Sequence, residues 1–218
     1  MKHLRRLSFY LIAAGAFGAL GASASSAALP EFVGSTPLAF TSKLKATTLE
    51  TVGTLKITCA GGSNAGDVTG PKTLTVRIKF TGCILNGLRC ASGATAGEIE
   101  TSALTGTLGY IKQATKDVGL DLAQPAGAPF MAFTCGEDLP VVVQGSVIGT
   151  IKPINKNVAP PKHFTVKFAQ KKGKQKPTKF EVGPVDVLST ALGGGPFEES
   201  GLASSDELNF VGPLLIAA

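Results

Sequence analysis

Few side chains in this chain are of a type and spacing that could do covalent chemistry. Ser146 sits in Gln144-Gly145-Ser146-Val147-Ile148-Gly149, a faint echo of a nucleophile elbow. The glycine two residues before the serine is missing, and the surroundings read as strand rather than as a strand-to-helix turn, so Ser146 is expected to be an ordinary strand serine. His163 is the only imidazole beyond the first few residues, and it falls on the polar side of its segment between Lys162 and Phe164. A solvated histidine is the plainer expectation. Glu98 and Glu100 share one strand face at i, i+2, a spacing that would suit paired acid–base work if a pocket held them; a solvated face is the plainer alternative. The phosphate-cradling glycine motif and the metalloprotease helix motif are absent, and no cofactor is called for.

The first 28 residues determine how the rest is read. Lys2, His3, Arg5 and Arg6 precede the apolar stretch Phe9–Gly21, and the small-residue run Ala22–Ala28 follows, the pattern of a cleaved secretory leader. An uncleaved anchor would need about 20 apolar residues and a charged stop, and neither is present. Arg5-Arg6 suggests a twin-arginine signal, but Ser8 stands where that motif has a bulky apolar residue, which favours general secretion. Cleavage is expected to leave a mature N-terminus between Ser25 and Leu29. The expected location is secreted, extracellular or associated with the cell envelope, with no transmembrane anchor after cleavage.

In such a compartment the four cysteines are candidates for disulfides. Asn86-Gly87 is the dipeptide most typical of a two-residue hairpin turn, and counting outward from it places Cys83 opposite Cys90. A local Cys83–Cys90 bridge is expected on that count, although a hydrogen-bonded pair would need a small twist or bulge to close. Cys59 and Cys135 share inward faces with Leu55 and Ile57 and with Phe133, so Cys59–Cys135 follows as the second bridge. Zinc is disfavoured because no two cysteines are spaced as a ligand pair.

The rest of the chain reads as β-strands. Thr73–Thr81 alternates Leu74, Val76, Ile78 and Phe80 with polar residues, which commits those four to one face. Thr54–Cys59, His163–Phe168 and, more weakly, Asp206–Val211 repeat the pattern. Val141–Ile151 is apolar on both faces, as a covered central strand would be, with Gly145 and Gly149 marking bends. Gly61-Gly62-Ser63-Asn64, Gly70-Pro71, Pro160-Pro161 and Gly193-Gly194-Gly195-Pro196 read as turns, and the last, running on to Ser200, as the one plausible internal linker. Roughly 190 residues are enough for one core. The expectation is all-β: a single antiparallel sandwich or barrel-like domain over residues 29–218, after a signal peptide at 1–28.

Charge is more informative in its distribution than in its total. The formal net charge of +6 falls to +3 without the leader. Residues 139–180 hold nine Lys and no acid, while the remaining mature chain sums to −6. Lys171, Lys172, Lys174, Lys176 and Lys179 cluster between the strand at 163–169 and a second one expected at Lys179–Val182, hence on a hairpin loop. Such a cluster would attract an anionic envelope polymer, an acidic lipid surface or, without sequence preference, nucleic acid. It would equally serve to keep a strand edge from pairing with neighbours. Carbohydrate stacking is poorly supplied, since there is no Trp and only Tyr110 among tyrosines beyond the leader.

The strings Thr81-Gly82-Cys83, Cys90-Ala91-Ser92-Gly93-Ala94, Gly97-Glu98-Ile99, Val118-Gly119-Leu120-Asp121-Leu122 and Gly145-Ser146-Val147-Ile148-Gly149 resemble a group of uncharacterised exported, glycine- and threonine-rich β-proteins of high-GC Gram-positive bacteria. The resemblance implies export and a β-fold and brings no activity or site residues; the lysine density around Gly173 is higher than it implies. The leading functional expectation is a non-enzymatic β-domain that binds a partner or serves as a structural component. A secreted, carboxylate-dependent glycan hydrolase, for which two acids would have to line one cleft, is the alternative. An inhibitor- or immunity-like module, recognisable by a large exposed apolar patch, is a third.

Overall fold

A computed structural model describes residues 30–218. The expected leader and its cleavage site lie outside the described residues. The chain is all-β, with strands β1 (Glu31–Val33), β2 (Leu38–Leu44), β3 (Thr47–Thr51), β4 (Lys56–Cys59), β5 (Gly61–Val68), β6 (Thr73–Thr81), β7 (Ile84–Leu85), β8 (Leu88–Ala91) and β9 (Ile99–Glu100) in its first half. β10 (Leu104–Lys112), β11 (Asp117–Ala123), β12 (Met131–Cys135), β13 (Leu139–Lys152), β14 (Phe164–Lys171), β15 (Lys174–Lys176), β16 (Leu188–Leu192), β17 (Glu198–Phe210) and β18 (Leu215–Ala217) complete it.

The antiparallel pairings close on themselves twice. One ring runs β2-β5-β6-β10-β11-β13-β14-β17 and back to β2. The other runs β3-β4-β7-β8-β12-β13-β16-β17 and back to β3. Closure removes the exposed strand edges that an open sheet would leave. The rings share the two longest strands: β13 has 14 residues and β17 has 13. In β13 the switch comes at Gly145, which still pairs with Leu188 of β16, whereas Ser146 pairs with Ala123 of β11. Gly145 adopts φ +105°, and a Cβ there would lie 1.9 Å from the Val187 carbonyl oxygen, so only glycine fits this bend. Membership of both rings, together with a cover over Ile148, explains why this segment is apolar on both faces.

Both interiors are filled by the alternating apolar residues. Phe40, Leu74, Leu120, Val166, Phe168 and Leu208 surround a void of only about 10 Å³ in the first ring. Leu49, Ile57, Phe80, Ile99, Phe133 and Leu202 do the same in the second. Outward positions such as Thr41 and Lys43 on β2 and Thr75, Arg77 and Lys79 on β6 are exposed and polar. That polarity is the reverse of a membrane-spanning barrel, whose outer surface is apolar. Among the described residues no helix is long and apolar enough to cross a membrane.

Three segments differ from the sequence-based expectation. Gly61-Gly62-Ser63-Asn64 is not a turn but the start of β5. The glycines there are needed for close approach, since a Cβ on Gly62 would lie 2.2 Å from the Lys79 carbonyl oxygen; Gly66, further along β5, sits against the Phe40 ring in the same way. The glycine-rich run Gly193–Pro196 is a short hairpin loop between β16 and β17 rather than a linker. Lys179–Val182 is not a strand. The hairpin partner of β14 is β15, and residues 177–187 form an irregular strap across the outside of the first ring.

The disulfides are Cys59–Cys83 and Cys90–Cys135, which corrects both expected pairings. The Asn86-Gly87 turn forms as expected, with φ +49° and +85° and the register Ile84↔Arg89. Cys83 and Cys90 do face each other, and the Cys90 N–H donates to the Cys83 carbonyl at 3.0 Å. In an antiparallel ladder a residue points both backbone polar groups to the same side, so the flank of Cys90 away from the hairpin is a non-hydrogen-bonded position, where Cα atoms approach more closely; Cys83 sits just before β7, and its N–H donates to the Gly97 carbonyl at 2.9 Å. Cys90 meets Cys135 of β12 on that flank, and continuation of the β4–β7 register puts Cys59 opposite Cys83. Both bridges have Cα atoms 3.9 Å apart. Cys59 and Cys135 cannot meet because β7 and β8 lie between them. No cysteine is free.

Candidate functional site

The five candidate lysines lie on or just beyond one hairpin. β14 turns into β15 through Lys172-Gly173, at φ +53° and +75°, the left-handed pair that a two-residue hairpin turn requires. The Gly173 N–H donates to Gln170 Oε1 at 2.9 Å, and a Cβ on Gly173 would lie 2.3 Å from the Thr51 carbonyl carbon, so the tip rests against the end of β3. Gln175 is 3% exposed and locks the short arm down: its Nε2 donates to the Ala169 carbonyl at 2.9 Å and its Oε1 accepts the Leu202 N–H of β17 at 2.8 Å. Gln170 Nε2 donates to Glu50 Oε2 at 2.7 Å. Amide side chains hold the hairpin, which frees the lysines from any anchoring role.

Strand alternation then sets their direction. Gln175 points in, so Lys174 and Lys176 point out, as do Lys171 and Lys172, while Lys179 is exposed at the start of the strap. Lys171 and Lys174 are a cross-strand pair of like charges. Among the described residues, Lys174 alone of the five meets a carboxylate, Glu199 at 3.5 Å. Exposed pairs of this kind are worth little.

The other candidates are separated from this hairpin and from one another. Glu98 and Glu100 face solvent and pair with Lys79 at 3.5 Å and Arg77 at 3.6 Å. Ser146 lies within β13, as expected, and its hydroxyl donates to Asp186 Oδ1 at 2.6 Å. His163 is exposed at the foot of β14, beside Lys156 and Lys162.

Two acidic features went unread in the sequence. Under the strap, Asp121 of β11 lies close enough to Asp186 to be affected by it. Burial first, and then the Asp186 charge, push its carboxyl up to about 7. Phe180 packs over Gly109 and Gly119 in the same strap, and Glu181 N–H bonds the Tyr110 carbonyl at 2.7 Å. The second feature is Asp206, 3% exposed inside the first ring; burial raises its carboxyl to about 6, and a hydrogen bond from the Ser204 hydroxyl, 2.6 Å, opposes the rise. Its signal was legible, since Ser204, Asp206, Leu208 and Phe210 alternate on one face. Asp186 gave no such sign because its segment has no periodicity.

Concave surface is divided among open grooves. One, of about 400 Å³ near the end of the second ring, is lined by Thr51, Thr54, Asn86, Thr190, Leu192 and Glu198, a single carboxylate among neutral groups. Compared with known proteins, the chain matches no family model, no curated protein and no solved structure.

Proposed function

We propose that the chain is an exported β-protein that works by binding rather than by catalysis, and that Lys171, Lys172, Lys174, Lys176 and Lys179 contact an anionic polymer of the cell envelope. The observation that carries this reading is the hairpin itself: five exposed ammonium groups on one short segment, held in place by Gln170 and Gln175 and almost unopposed by acid. Closely spaced charges of one sign raise the local concentration of a polyanion more than a net charge of +3 would suggest. The acidic remainder of the surface is screened beyond about 8 Å at physiological salt and does not cancel that attraction. Two disulfides are consistent with an oxidising location, and the leader-like N-terminus and the resemblance to exported β-proteins agree with it.

The test is retention of the mature protein on an anionic polymer resin, with elution moving to lower salt in K171Q/K172Q/K174Q/K176Q. Circular dichroism and the unfolding midpoint should be unchanged, since none of these side chains is buried. Equal retention of variant and wild type would refute the binding role and leave protection of the β15 edge as the account of these lysines.

A further inference from the structure

We propose a second anion site, independent of the lysine hairpin: the groove formed by the loop between β13 and β14, which would take a compact oxyanion carrying phosphate or carboxylate groups. The groove is about 470 Å³ and open, and Lys156, Asn157, Lys162 and His163 line it above Pro153 and Val158. Every polar side chain in it is a donor. Each lysine offers three N–H groups, Asn157 an amide NH2, and His163 a ring N–H in either protonation state, while no carboxylate lines it.

The loop is built rather than loose. Val158, 4% exposed, is its apolar anchor, and its backbone exchanges two hydrogen bonds with Leu214, at 2.8 and 2.9 Å. Asn155 N–H bonds the Ile216 carbonyl at 2.8 Å, and the Asn155 amide bonds both backbone groups of Ala218, at 2.9 and 2.8 Å. These contacts fix the backbone on either side of Lys156 and Asn157, and the Lys162 N–H donates to the Ala159 carbonyl at 3.0 Å, so the residues that line the groove are carried by a bonded loop. Like charges gathered without a neutralising acid repel one another, and a bound oxyanion relieves that repulsion while accepting the unused donors. Lysine is a point-charge phosphate binder that needs no bidentate geometry.

The site is electrostatically separate from the hairpin. β14 carries the chain from the groove at His163 to the hairpin at Lys171; at about 3.3 Å per residue the two lie roughly 25 Å apart along the strand, some three Debye lengths at physiological salt. Occupation of one therefore neither helps nor hinders a small ion at the other.

Titration of the mature protein with tripolyphosphate, followed by backbone amide NMR shifts, tests the proposal. Shifts should concentrate on residues 153–163, and K156Q/K162Q should weaken the apparent affinity by at least about tenfold. The lysine-hairpin variant should keep this response, so that failure of the hairpin reading and failure of this one are told apart. K112Q/K116Q, which removes the same charge from exposed positions elsewhere, should also keep it. Citrate in place of tripolyphosphate separates carboxylate from phosphate as the preferred chemistry, and saturable shifts in the groove with either one support the site. Shifts confined to the hairpin, no shift at all, or equal losses in K156Q/K162Q and K112Q/K116Q would overturn it.

Discussion

Replacing Asp206 with Asn should change how stability depends on pH. Asp206 lies inside the first ring with Asn64, and the Asn64 Oδ1 and Ser42 Oγ atoms there have no hydrogen-bond partner. The only other residues lining that void are apolar, so no basic group compensates its charge. Burial pushes the native carboxyl up to about 6, against the ordinary 3.8 of an unfolded chain. Below about pH 4 both states hold the proton and the residue contributes no pH dependence. Between the two values the unfolded chain releases its proton while the native state retains it, so stability falls as pH rises, and it levels off above about 6. At about 1.4 kcal/mol per pH unit the loss is on the order of 3 kcal/mol.

Asn in place of Asp206 has nothing to ionise. It keeps an oxygen for the Ser204 hydroxyl and adds an N–H donor in a void where Asn64 Oδ1 lacks one. The variant should match wild type near pH 4 and exceed it near pH 8 by about 2–3 kcal/mol, which for a domain of this size raises the melting midpoint by roughly 5–10 °C. Urea unfolding of both proteins across that range measures the difference directly, and it removes the contribution of Asp121, whose raised carboxyl is common to both. Parallel pH profiles for variant and wild type would refute the reasoning.

The bridges and the backbone supply further expectations. Non-reducing peptide mapping should recover Cys59–Cys83 and Cys90–Cys135 peptides and no Cys83–Cys90 peptide. With 24 and 45 residues enclosed, chain entropy assigns the two bridges about 3.5 and about 4 kcal/mol, so C90A/C135A should cost slightly more in a denaturant titration than C59A/C83A. Gly145→Ala should destabilise by several kcal/mol, because its added Cβ meets the Val187 carbonyl at 1.9 Å and φ is +105°. Gly87→Ala at φ +85° meets nothing within 4 Å and should cost only about 1 kcal/mol; equal midpoint shifts for the two glycine variants would contradict the steric argument.

Much of the local structure was legible in the residues. Strict alternation over Thr73–Thr81 defined a strand with the bounds of β6, because a period of two leaves no other way to bury Leu74, Val76, Ile78 and Phe80 together. Asn86-Gly87 specified its turn because both positions take positive φ. The lysines around Gly173 read as a hairpin loop between the strand at 163–169 and one expected at Lys179–Val182; a hairpin is there, but its second arm is β15, which carries Lys174 and Lys176 themselves. The wrong readings of glycine runs shared a cause. Glycine is used both where a chain must turn and where another chain segment must come close, and Gly62 in β5 serves the second purpose. Asp121 and Asp186 are far apart in sequence, and nothing periodic announces the strap that brings them together.

The cysteines show most clearly where local information stops. The residues placed Cys83 opposite Cys90, and the structure does hold them opposite. Which neighbour each sulfur reaches depends on the strands beyond, β4 on one side and β12 on the other, whose positions follow from closure of the whole second ring. Cys90 directs its N–H to the hairpin side, so its close flank faces β12, while Cys83, just before β7, gives its N–H to the Gly97 carbonyl and is brought to Cys59 by the β4–β7 register. A turn motif sets register between two strands; partner strands, and with them Cys59–Cys83 and Cys90–Cys135, are set by long-range packing.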